Sequence, residues 1–228
     1  MNNTPSPSTL ARTIDHTLLK PEATSGAIET LCAEAVAHGF YSVCVNSSRA
    51  AQARDLIAGT GVKLAVVTGF PLGAMCTAAK AHETALAVGD GADEIDTVLN
   101  VGYLVEGGSE EVLADLRAVI AAAAGCPVKV IFETCLLNEE QKRLACAISL
   151  EAGAAFVKTS TGFSSGGATV EDVRLMKACV GDRCEVKASG GIRDRKTALA
   201  MIAAGATRLG TSAGIAIVSA TDAGSGAY

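Results

Sequence analysis

The chain has 228 residues, 49% apolar and 19% charged, with a formal net charge of −5. That length suits one α/β domain with a sizeable core, and the mildly acidic balance gives no electrostatic footprint for nucleic acid or an anionic membrane. Aromatics make up only 4%, with no Trp, which also argues against a base-stacking surface.

The opening "MNNTPSPSTLAR" has no basic stretch leading into an apolar segment, so it does not read as a signal peptide. Apolar runs such as "AVIAAAAGCPV" are too short to span a bilayer. One domain over 1–228 is expected, with flexible segments at 1–10 and 219–228. The cysteines Cys32, Cys44, Cys76, Cys126, Cys135, Cys146, Cys179 and Cys184 are scattered and form no Cys-x-x-Cys pair. Most sit on apolar faces, which predicts reduced thiols and a cytoplasmic protein.

In chain order, the first strand candidate is "TIDHTLL", carrying Asp15 and Thr17. An Ala-rich segment follows in which Ile28, Leu31, Cys32, Ala35 and Val36 fall on one helical face. Gly39 then stands where a helix ends in a left-handed residue. The same alternation of amphipathic helix, glycine and short apolar run returns with "YSVCVN", "VKLAVVTGF", "DEIDTVLN", "VKVIFETC", "AFVKTST", "EVKASGG" and "TRLGTSAG". These runs are nearly continuous in apolar character, as burial on both faces requires. They are separated by roughly 20–35 residues, room each time for a crossover helix. Eight such units predict a compact (β/α)8 TIM barrel. An open doubly wound sheet is the rival, and strand counting alone does not exclude it.

Barrel active sites lie at the C-terminal ends of the strands. Polar residues gather there: Asp15, Cys44, Thr68, Asp96, Asn100, Glu133, Lys158, Lys187 and Ser212. A single strand-end lysine is ordinarily a snorkelling side chain. Lysines at matching positions on strands six and seven are different, because they are neighbours that point towards one pocket. Repulsion between them and a low-dielectric surrounding lower the pKa of one, leaving a neutral amine. Such an amine can attack a carbonyl and form a Schiff base. The apolar flank of Ala154, Ala155, Phe156 and Val157 suits Lys158 to that role, with Lys187 as its protonated perturber. Asp96 reads as the group that keeps Lys187 charged and relays protons, and also as a salt bridge that merely neutralises a lysine; the two readings are not exclusive. Cys44 reads either as a reactive thiol or as a small residue lining the pocket.

Glycine-rich turns follow the last three strands, with Thr169, Asp194 and Ser212 as candidate helix caps. Helix starts of this kind bind phosphate in many barrels. Metal chemistry fits poorly, because His16, His38 and His82 lie far apart and no His/Glu spacing resembles a zinc set. No metal and no organic cofactor are expected.

The motifs "IDHTLLKPEAT", "VTGFPLG", "EIDTVLNVG", "IFETCLL", "VKTSTGFSSGGAT", "VKASGGIR" and "RLGTSAG" resemble, in order, those of the deoxyribose-phosphate aldolase family. The resemblance runs from about Ile14 to Ile217. It implies a Schiff-base enzyme that reversibly cleaves 2-deoxy-D-ribose 5-phosphate to acetaldehyde and D-glyceraldehyde 3-phosphate. It implies Lys158 as the Schiff-base lysine, Lys187 as the activating lysine and Asp96 as the proton-shuttling carboxylate. Asp15 and Thr17 match a D-x-T motif bordering this network. Thr161, Gly162, Gly190, Gly191, Gly210 and Ser212 match positions that line the substrate and its phosphate.

Two departures stand out. Phe163 occupies a position where some members carry a phosphate-binding lysine, and Ala213 replaces a serine. Phosphate charge then falls to backbone N–H groups and Arg193, so weaker phosphate affinity is expected. The tail "SATDAGSGAY" reads as a disordered terminus on composition. Some family members instead fold a C-terminal tyrosine into the site, which makes Tyr228 a candidate for proton transfer. The expected partners are small-molecule phosphosugars and aldehydes, with no nucleic acid and no membrane, and residual apolar surface on the helices leaves room for a homodimer. Rival readings are a Schiff-base barrel aldolase for another phosphosugar and a catalytically silent phosphosugar-binding barrel.

Overall fold

The first long helix shows how this chain is wound. In the computed structural model, which describes residues 5–219, the helix spans Ser25–His38 and is capped by the Thr24 side chain. It buries Ile28, Leu31, Cys32 and Ala35, and it ends on Gly39 at φ 63°. Val36 is 42% exposed despite its place in the apolar pattern. At about 80° around the helix from Ile28, it stands at the edge of the buried face.

The strands are β1 Ile14–Leu18, β2 Ser42–Asn46, β3 Lys63–Thr68 and β4 Glu94–Val98. After them come β5 Val128–Ile131, β6 Phe156–Lys158, β7 Glu185–Ser189 and β8 Arg208–Thr211. Each pairs in parallel with the next, and β1 pairs with β8 through Ile14↔Leu209 and Asp15↔Gly210. That closure makes a (β/α)8 barrel and excludes the open sheet.

The helices are α1 Pro7–Ala11, α2 Ser25–His38, α3 Ala50–Ile57, α4 Thr77–Gly89 and α5 Val101–Val105. Beyond them are α6 Ser109–Ala122, α7 Glu139–Ala152, α8 Val170–Val180, α9 Arg195–Ala203 and α10 Gly214–Ser219. Side chains at Asn138, Thr169 and Asp194 accept the first free N–H groups of α7, α8 and α9. Ser212 makes no such cap; the Thr211 hydroxyl accepts the Ala213 N–H instead. The sequence predicts a flexible segment over 1–10, yet from Pro7 the chain is helical and Leu10 is wholly buried. Its apolar side chain packs into the main core and so ties the segment down.

Successive strand residues face opposite sides of the barrel wall. One set, including Val43, Val45, Leu64, Val66, Val130, Val157 and Val186, joins the large core beneath the helices. The other set faces inward, where the apolar cluster consists of Leu19, Cys44, Ala65 and Val67, with Phe70 against it. Buried charged side chains, among them Asp15, Asp96, Lys129, Lys158 and Lys187, share the interior with it. Among the described residues, no helix is long and apolar enough to cross a membrane.

Outside the wall, Lys80 on α4 is buried against Asp115 on α6 at 2.6 Å. Its ammonium also donates to the Val98 carbonyl at the end of β4, 2.9 Å away. Thr77 donates its hydroxyl to the second Asp115 oxygen. Removing one partner of such a pair leaves an uncompensated buried charge. Lys80→Met is therefore expected to lose about 3–5 kcal/mol of unfolding free energy in equilibrium urea melts. A loss within the surface-mutation range of about 0.5 kcal/mol contradicts this role for the pair.

Candidate active site

The barrel brings Lys158 and Lys187 into direct register on β6 and β7. The carboxylate they share is Asp96, the third residue of β4. One of its oxygens, Oδ2, lies 2.8 Å from Nζ of Lys158 and 2.7 Å from Nζ of Lys187. Its other oxygen, Oδ1, is 2.6 Å from Lys129 Nζ. Lys129 also contacts Glu94 Oε2 at 2.7 Å.

Asp15 forms the second anionic centre. It accepts a short hydrogen bond from Lys187, a bond from the Ser42 hydroxyl at 2.6 Å and one from Arg208 at 3.0 Å. Arg208 continues to Glu94 at 2.9 Å, and its guanidinium lies 3.5 Å from the centroid of the Tyr41 ring. Gly210 has a specific part in this packing. A Cβ there would come within 2.9 Å of Ser189 Cβ and 3.1 Å of Lys187 Cε, so glycine leaves the lysine its path.

Burial and charge divide the lysines. Burial pushes the Lys158 pKa below the ordinary lysine value of 10.5; Asp96 opposes this and Lys187 reinforces it. Burial also works against charge at Lys187, but Asp15 and Asp96 overcome it and hold that pKa above the ordinary value. At Asp96 the cost of burial is overcome by Lys129, Lys158 and Lys187, which keep its pKa well below 3.8. Asp15 is held down in the same way, against burial, by Lys187, Lys129 and Arg208.

Above this cluster opens a cleft of ≈ 380 Å³. Lys158, Thr17, Thr161, Gly162, Gly190, Gly191, Arg193, Gly210 and Ser212 line it. Asp15, Asp96 and Lys187 do not; they are sealed beneath Lys158 with no exposed surface. Cys44, expected to line the pocket, is not on the cleft either. It is wholly buried with Ala65 and Val67, and burial raises its thiol pKa. Tyr228 lies outside the described residues.

Thr161 belongs to a polar hinge at the cleft edge. It donates its hydroxyl to Glu133 and, at 3.3 Å, its N–H to the same carboxylate. Its oxygen then accepts the Phe163 N–H at 3.0 Å. Glu133 holds φ 55°, a left-handed backbone rare outside glycine. Phe163 packs edge-on against Phe70, with ring centroids 5.3 Å apart. Behind it, Gly167 and Gly190 cross so closely that a Cβ on Gly167 would lie 2.4 Å from the Gly190 oxygen.

The DeoC/LacD family aldolase model matches residues 9–220. The chain belongs to this aldolase family. A deoxyribose-phosphate aldolase of Bdellovibrio bacteriovorus is 58% identical over 209 residues, covering 92% of this chain and 95% of the relative. One from Alkaliphilus oremlandii is 57% identical over 210 residues, with the same coverage of 92% and 95%. Among solved structures, a tetrameric deoxyribose phosphate aldolase from Aeropyrum pernix matches with a TM-score of 0.88 at 34% identity. That match covers 93% of this chain and 91% of the other. As a member of the family, this protein is a lyase that makes and breaks a carbon–carbon bond.

Three residues of the charged cluster escape a sequence reading directed at strand ends: Glu94, Lys129 and Arg208. All three sit lower in the barrel. The signal for Lys129 was nonetheless present, since "VKVIF" places a lysine inside an apolar run just as "FVKT" does. Asn100 has a structural task, capping α5 through the Tyr103 N–H.

Removing the shared carboxylate leaves buried ammonium groups uncompensated. Asp96→Asn is expected to cost about 3–5 kcal/mol in urea melts near neutral pH. The pH dependence has a definite sign. Asp15 and Asp96 have folded pKa values below 3.8, so their stabilisation is full above that value and lost as pH falls through the lowered folded values. Acid melts should therefore show a shallower decline for Asp96→Asn than for the unaltered protein. Parallel acid limbs contradict the ionised assignment of Asp96.

Proposed function

We propose that this aldolase reversibly cleaves 2-deoxy-D-ribose 5-phosphate to acetaldehyde and D-glyceraldehyde 3-phosphate through a Schiff base on Lys158. One observation carries the reading: within the buried charged cluster, Lys158 alone lines the cleft, and its pKa is the one lowered among the lysines whose shift is resolved. A lowered pKa makes the free amine that imine chemistry needs easier to form, and the cleft opens it to substrate.

The Lys158 nitrogen attacks C1 of the open-chain aldehyde to give a carbinolamine. Loss of water leaves an iminium, for which Asp96, 2.8 Å from Nζ, is both the adjacent counter-charge and a proton acceptor and donor. The C3 hydroxyl loses its proton and the C2–C3 bond breaks. Its electron pair passes to the iminium, forming an enamine, while C3 becomes the aldehyde carbon of the phosphorylated product. Protonation of the enamine at C2 and hydrolysis of the resulting iminium release acetaldehyde and restore the amine. Lys187, charged and held by Asp15 and Asp96, keeps a positive field beside the nitrogen throughout.

In this reading the phosphate lies along Gly162, Gly190, Gly191 and Ser212, with the exposed Arg193 at the rim. Glu133 stands beyond Thr161 and disfavours an anion at that end. The apolar Phe163 and Phe70 pair contributes no charge, so phosphate binds more weakly than a lysine there would allow. Tyr228 serves proton transfer at the enamine carbon. The free state of Cys32, Cys44, Cys76, Cys126, Cys135, Cys146, Cys179 and Cys184 supports a reducing, cytoplasmic setting. Apolar residues left exposed on the helices, such as Leu86 and Val105, leave room for a homodimer.

Borohydride reduction in the presence of acetaldehyde, followed by peptide mass mapping, should find one ethyl adduct, on Lys158. An adduct on another lysine overturns the assignment. Lys158→Leu should lose both the adduct and cleavage while its circular dichroism is unchanged, and retained turnover refutes the nucleophile. Deleting Tyr228 should slow exchange of the acetaldehyde α-protons more than it weakens sugar-phosphate binding. Equal exchange rates remove Tyr228 from the mechanism.

A further inference from the structure

Lys129 is on β5, wholly buried, and does not line the cleft. It therefore has no path to substrate, yet it holds the free oxygen of the carboxylate that Lys158 uses. Asp96 and Glu94 face it from β4, and the Phe156 ring from β6 lies 5.7 Å from its nitrogen. Asp15 on β1 and Lys187 on β7 act on it through space, and Arg208 on β8 shares Glu94 with it. The charged or titratable groups around Lys158 are Asp96, Lys187 and Cys44.

The interior network joins four basic groups, Lys129, Lys158, Lys187 and Arg208, to three carboxylates, Asp15, Glu94 and Asp96. With every carboxylate ionised, three cations balance it and the fourth is in excess. Burial makes excess charge costly, so one basic group gives up its proton. Arginine keeps its charge. Lys187 and Lys129 each touch two separate carboxylates, whereas Lys158 touches Asp96 alone and opens on the cleft.

We propose that Lys129 is a positioning residue for the reaction: its buried positive charge completes the balance of the barrel interior and thereby leaves Lys158 as a neutral amine. This rests on the Schiff-base role of Lys158 given above. Without Lys129, the three carboxylates face only Lys187 and Arg208, and a protonated Lys158 becomes the neutralising state. Without the Glu94 charge the opposite holds, and Lys158 is driven further towards the free amine. Removing both charges restores the original balance.

The test is the rate at which acetaldehyde is trapped on Lys158 by cyanoborohydride, followed against pH and located by peptide mass. Lys129→Met should move the midpoint of the rate profile up by about one to two pH units, with the rate recovering in alkali. Glu94→Gln should move it down, the double substitution should return it near the original, and Lys129→Arg should leave it in place. If Lys129→Met does not fold, the downward shift in Glu94→Gln decides the matter. Unmoved midpoints, or shifts of the same sign in both single variants, overturn the role of Lys129 while the Lys158 adduct stands. An adduct elsewhere in the unaltered enzyme overturns the Schiff-base assignment and this proposal with it.

Discussion

One carboxylate shared by three lysines organises this molecule. Asp96 meets Lys158 and Lys187 through one oxygen and Lys129 through the other, all within 2.8 Å. In water such an arrangement would be trivial, because each charge would be separately solvated. Inside the barrel these groups are buried and weakly screened, and the protonation state of each lysine depends on the others. Two of the lysines gain a second carboxylate. The third has only the shared one, and it is the one that reaches the cleft.

The fold supplies what this arrangement needs. Closing eight parallel strands forces alternate residues inward, so that groups far apart in sequence meet at hydrogen-bond distance. Asp15 and Lys187 are separated by 172 residues and Asp96 and Lys158 by 62. The outward residues of the same strands carry the apolar core beneath the helices. The barrel centre is thus a preorganised electrostatic medium, and the glycine turns above it shape the walls of the cleft.

Much of this is legible in the sequence. Continuous apolar runs punctuated by glycine identified eight strands, and β1 through β8 all fall within those runs. The lysines at the ends of "AFVK" and "EVK" stood out because an ammonium group in a buried strand must have a reason to be there. What misled was depth. Asp15, Asp96 and Lys187 are inner residues of their strands, so the charged cluster lies below the mouth where strand-end residues were expected to meet. Lys129 was hidden by the same assumption, and Glu94 by its nearness to Asp96. Cys44 failed for a different reason: a small apolar side chain packs equally well on a cleft wall or beneath it, and only the register with Ala65 and Thr17 decides which.

The central claim is that this shared field makes Lys158 the least basic lysine of the set. Its most direct test is a carbon-13 NMR titration of protein labelled at the lysine ε-carbon, with the Lys158 signal assigned by its loss in Lys158→Leu. The account predicts that Lys158 titrates below the ordinary lysine value of 10.5 while Lys187 titrates above it. A Lys158 that titrates with the surface lysines, or a Lys187 that loses its proton first, contradicts it.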